Sequence, residues 1–136
     1  MRRRIAAEYQ KILIKQGKNM DKIISIDGKE VKFRATARTP RLYRMLIGRD
    51  MIQDMNRLMK AYKNKKKNED ELDIIDLQIF EDVAYVMARH AAPDMPEKTA
   101  DEWLDGFDMF SIYEVLPPIL ELWTINTLQT SKSKKK

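Results

Sequence analysis

Apolar and polar positions alternate first over KIISIDGKEVKFRAT, residues 22–36. Ile24 and Ile26 are separated by Ser25, and Val31 and Phe33 are separated by Lys32. This period of two predicts a β-hairpin, and Asp27-Gly28 supplies a two-residue turn that takes positive φ. An isolated hairpin is marginal in water, so its apolar face must lie on helices or pair with the edge of another copy. The period then lengthens. From about Pro40 to Tyr62 apolar residues recur at helical spacing: Leu42, Met45, Leu46, Ile52, Met55, Leu58 or Met59, and Tyr62. Thr39 and Pro40 suit the start of this helix, Thr39 as N-cap and Pro40 in the first turn. Gly48 interrupts the helix and is expected to bend it. A second helix is predicted over about Asp73 to Ala91. Its apolar face is wide (Ile75, Ile79, Phe80, Val83, Val86, Met87), which places it at the centre of the core, and it stops before Pro93. Thr99–Glu102 reads as a capping box opening a short helix with Trp103, Leu104 and Phe107. Ser111–Glu114 reads as a second box, opening a last helix with Val115, Leu116, Ile119, Leu120, Leu122, Trp123 and Leu128. Pro117-Pro118 falls in its first turns and predicts a kink or a restart. The fold class is therefore mainly α: an N-terminal β-hairpin followed by about four helices in one small domain, with Trp103, Phe107, Phe110 and Trp123 as aromatic anchors.

Charge changes this picture. The net charge of +5 conceals two opposed halves. Residues 1–67 hold 20 Lys and Arg against 6 Asp and Glu, whereas residues 68–130 hold 2 against 15. Such halves pack on each other, join copies head to tail, or meet partners of opposite sign. The acidic half works against nucleic-acid binding. Residues 1–19 form a basic amphipathic arm, either resting on the domain or contacting nucleic acid or a membrane surface. Met20 offers an alternative start. Residues 20–130 form the domain, with residues 63–71, where the sign flips, as a solvated hinge. Residues 131–136 are expected to be a disordered basic tail.

Candidate chemistry is sparse. There are no cysteines, hence no disulfide, thiolate metal site or cysteine nucleophile, in keeping with a reducing cytoplasm. The four glycines are scattered and make no phosphate loop. The one histidine, His90, is expected to be structural. Asp101, Glu102, Asp105 and Asp108 read as a solvated helix face rather than a metal cluster. No cofactor or metal and no enzymatic activity are expected, nor a signal peptide or a membrane span. The methionines Met45, Met51, Met55 and Met59 admit two readings: core filler, or an adaptable apolar surface for a partner helix.

The run IDGKEVKFRATARTPRLYR, followed by GRDMIQDM, resembles the N-terminal core of tail assembly chaperones from siphophages and prophages of Gram-positive bacteria. The resemblance covers about Met20 to the C-terminus. It implies a chaperone of tail morphogenesis in the host cytoplasm. Such a protein coats the tape measure protein, keeps it soluble, helps recruit major tail tube subunits, and is absent from the finished virion. It also implies a second, longer product made by ribosomal frameshifting, for which Lys134–Lys136 would be written as an A-rich run. The family supplies no catalytic residues. From surface chemistry, the expected partner-binding residues are Arg41, Tyr43, Arg44, Arg49, Met51, Met55 and Trp123, and many copies along one tape measure, or a homo-oligomer, fit the polarised charge. Two other classes remain open: a small DNA-binding or regulatory protein using the basic half, and a structural protein of the tail itself.

Overall fold

The computed structural model describes residues 21–68 and 72–134, with side chains described for residues 21–63 and 72–125. Residues 1–19, read above as a basic arm, lie outside the described residues. Strands β1 (Asp21–Ile26) and β2 (Lys29–Arg34) pair antiparallel, with Ile26 opposite Lys29, Ile24 opposite Val31 and Lys22 opposite Phe33. Asp27 and Gly28 both take positive φ, 55° and 75°, as a tight hairpin turn with the twist of its strands requires. Ile24, Ile26 and Phe33 point into the core, and β2 lies along the central helix while β1 lies on the last one. The hairpin's apolar face is therefore covered from within the chain.

Five helices follow: α1 (Thr39–Ile47), α2 (Met51–Asn68), α3 (Ile74–Ala91), α4 (Ala100–Leu104) and α5 (Ile112–Lys134). The expected single helix from Pro40 to Tyr62 is two. Gly48 takes φ 84°, closes α1 as a left-handed cap and donates its N–H to the Arg44 carbonyl at 2.9 Å. Asp50 then starts α2, its carboxylate accepting from Ile52 N–H at 2.9 Å. Thr39 does not cap α1 either. It is the first helical residue, fully buried, and its hydroxyl accepts from the Thr36 N–H at 2.7 Å, bracing the strand-to-helix corner.

α2 runs on to Asn68, so residues 63–68 are helical where a hinge was expected. Lysine is a good helix former, and a run of it need not end a helix. α5 likewise continues through Lys134 where a disordered tail was expected from residue 131; Lys135 and Lys136 lie outside the described residues. Pro117 and Pro118 sit inside α5 without dividing it.

α3 is the axis of the molecule. It touches β2, α1, α2, α4 and α5, and Val83 to Met87 are buried without interruption, so its inner stretch has no solvent face. Asp73 caps it through a reciprocal box with Asp76. Ile75, expected on the core side, is exposed, because the first turn of α3 turns Asp76 inward instead, buried and paired with Arg57 of α2. Trp103 of α4 gathers the aromatic residues: Phe107 at 5.2 Å, Phe110 at 5.5 Å, Tyr85 at 6.0 Å and Phe33 edge-on at 6.3 Å between ring centroids. Thr99 caps α4 by accepting from Glu102 N–H at 3.1 Å, while the Glu102 carboxylate accepts from Lys98 N–H, so only half of the expected capping box forms.

Candidate functional site

The residues expected to face a partner separate into two groups. Tyr43, Met51 and Met55 are fully buried, and Trp123 is nearly so. They are core residues in this fold, so the filler reading of Met51 and Met55 is the one the packing supports. The physical reason is helical spacing: at about 100° per residue Tyr43, Met51, Met55 and Leu58 fall on one face, which packs inward, and Met45 and Ile52 fall on the opposite one. Met45, Leu46 and Ile52, part of the continuous stripe read from the sequence, are left outside, with Met45 70% and Ile52 54% exposed.

Arg49 is the second departure from a free basic face. It lies between α1 and α2 and reaches three elements. Its Nε donates to Asp54 at 2.9 Å, and its Nη2 donates to Asp82 of α3 at 2.7 Å and to the Tyr43 hydroxyl at 3.0 Å. The Tyr43 hydroxyl in turn donates to Asp54. Burial, followed by the Asp54 hydrogen bond, raises the Tyr43 pKa far above its ordinary value, so the phenol stays neutral. Burial works against the Arg49 charge, but its hydrogen bonds to Asp82 and Asp54 outweigh it and hold the guanidinium above its ordinary pKa. Burial lifts the Asp82 carboxyl above the usual carboxylate range, and the Arg49 hydrogen bond pulls it back. The set is a structural clasp of α1, α2 and α3. Arg57 does similar work further along, pairing with Asp76 at 2.8 Å and Asp73 at 3.2 Å.

The two halves of opposite charge therefore meet inside one molecule. Lys22 of β1 adds a pair with Glu121 of α5 at 2.7 Å, and Lys29 donates to the Gly106 carbonyl at 2.7 Å. What remains outward on α1 is Arg38 at its cap, Arg41, Arg44 and Met45. None of these three arginines has an ion pair among the described residues, although each is exposed. The candidate site is thus the outer face of α1 and the start of α2: Met45, Leu46 and Ile52 on either side of Gly48, bordered by Arg41 and Arg44. Of the residues expected from the sequence, Arg41 and Arg44 belong to it. Leu46 and Ile52 were visible as apolar residues, but their exposure was not.

His90 is half-buried and shares a 3.0 Å hydrogen bond with the Thr36 hydroxyl. Among the described residues no group of histidine or carboxylates is arranged to hold a metal ion, and no helix is long and apolar enough to cross a membrane. Comparison with models of known protein families, with curated proteins and with solved structures finds no match.

Proposed function

We propose that this protein is a phage tail assembly chaperone that binds the tape measure protein, keeps it soluble and helps bring major tail tube subunits to it in the host cytoplasm, without entering the virion and without catalysing a reaction. The run from Ile26 to Arg44 that resembles these chaperones covers the hairpin turn, β2 and most of α1, and the observation that carries the reading is the outer face of that helix. Met45, Leu46 and Ile52 leave apolar side chains in water beside Arg41 and Arg44. A tape measure is a long, helix-rich chain with apolar stripes. One such stripe would cover Met45, Leu46 and Ile52, and acidic residues at its border would meet the two guanidiniums. Methionine suits the task because its unbranched, polarisable side chain adapts to successive, unlike segments of a long partner. Repetition along one partner then multiplies a weak contact.

The test is co-expression with the tape measure protein of the same genome, followed by pull-down and a solubility assay. The tape measure is expected to become soluble and to copurify with many copies of this chain. The double variant Met45→Asp, Ile52→Asp is expected to lose capture while keeping its melting temperature, since both side chains are exposed. If the wild-type chain leaves the tape measure insoluble and uncaptured, the reading fails. Salt-dependent binding to duplex DNA would then favour the DNA-binding alternative.

A further inference from the structure

A cleft of about 280 Å³ opens where the end of β2 and the start of α1 face the end of α3. It is lined by Arg34, Arg38, Leu42, Arg89, His90 and Pro93. Among the described residues no carboxylate lines it, and its three guanidiniums differ in how far their charge is answered. Arg34 is held by Asp21 through two hydrogen bonds, 2.7 and 3.1 Å. Arg89 spends its Nη1 on neutral oxygens, the Glu97 carbonyl at 2.7 Å and the Tyr85 hydroxyl at 3.2 Å. Those bonds fix its position and leave its charge uncompensated. Arg38 makes no side-chain hydrogen bond or ion pair among the described residues. Between them lies His90, hydrogen-bonded to Thr36. Burial, then the charges of Arg34 and Arg38, lower its pKa, with Asp21 opposing weakly, so the ring itself senses a positive field.

We propose that this cleft binds a phosphate dianion, free or as a monoester, seated between Arg38 and Arg89. Two planar guanidiniums, one anchored and one free to close, match a tetrahedral dianion better than a single carboxylate. Leu42 and Pro93 give an apolar wall on which the organic part of an ester would rest, and the cleft has room for it. The site is separate from the outer face of α1, and it stands whether or not the tape measure is the partner.

The chain has one histidine, so a single set of imidazole ring signals in the NMR spectrum reports on the cleft. Inorganic phosphate and phenyl phosphate are titrated separately into the full chain at about pH 7.5, where the second phosphate proton is off. Sodium chloride at matched ionic strength is the control. A saturable shift of the His90 signals is expected with both phosphates and not with chloride. Tighter binding of phenyl phosphate assigns the monoester as ligand, and equal binding assigns free phosphate. Arg38→Ala is expected to weaken binding about tenfold or more, the loss of a charge-assisted contact, and Arg38→Lys to recover part of it. Lys60→Ala, exposed on α2 and outside the cleft, is expected to bind as wild type. A shift that rises without saturating and is matched by chloride overturns the proposal. So does undiminished binding by Arg38→Ala.

Discussion

At the scale of single residues, similar side chains in one segment have opposite duties. Met45 and Met55 lie ten positions apart in a run that reads as one stripe, yet one is 70% exposed and the other fully buried. Met55→Ala is expected to cost about 3 kcal/mol in a denaturant titration, as for other large-to-small core changes. Met45→Ala should stay within about 0.5 kcal/mol of wild type. His90 gives a second contrast, in pH. In the folded protein burial, then the nearby Arg34 and Arg38, push the imidazole pKa down, so protonation favours the unfolded chain. The histidine contribution to stability is thus complete above the ordinary pKa of 6.5 and is lost as pH falls below it. Melting temperatures of wild type and His90→Gln, measured from about pH 8 down to about pH 5, should converge or cross as the solution becomes acid. Parallel curves would remove His90 from the pH response.

At the scale of elements, the hairpin and α3 were legible and the α1–α2 junction was not. Two periodicities and an Asp-Gly turn leave few alternatives for residues 22–34, and the wide apolar face of α3 can only be satisfied at the centre. Gly48 is different. A glycine inside a helical pattern is compatible both with a bent continuous helix and with a left-handed cap, and local spacing does not decide between them. The run of lysines after Tyr62 misled in the other direction, because its polarity suggests a loop while lysine's own preference favours helix. The two states of Gly48 differ in the sign of one substitution. In a continuous helix Gly48→Ala would stabilise by about 1 kcal/mol. At φ 84° a Cβ meets no neighbouring atom but strains the backbone, and the same change is expected to destabilise by about 1 kcal/mol. Thermal unfolding of this single variant tests the junction.

At the scale of the whole molecule, part of the opposed charge of the two halves is answered internally, through Lys22, Arg49 and Arg57. The sequence showed the imbalance but not its destination, since Arg49 meets Asp82 across 33 residues and Lys22 meets Glu121 across 99. No local pattern encodes such a pairing. Arg49→Met should cost about 2 kcal/mol in urea unfolding, below the value for a fully buried pair because the side chain keeps contact with water. Arg49→Lys should recover only part, as a single ammonium cannot serve Asp54, Asp82 and Tyr43 together. The candidate site was half legible for the same reason: Arg41 and Arg44 are read directly, whereas the fate of Arg49, Tyr43, Met51 and Met55 is fixed by distant partners. The hairpin carries the longest of these links, Lys22 to Glu121, and the Asp108 N–H also donates to the Asp27 carboxylate at 2.9 Å while β1 rests on α5. The first described element is thus completed by the last. On the ribosome, Ile24, Ile26 and Phe33 emerge early and wait for α3, Trp103 and α5 to cover them, so folding must run late and non-locally. A nascent or truncated chain ending before Ile112 would carry a hairpin whose β1 lacks the cover of α5, and would itself become a client for the kind of protection this protein is proposed to give.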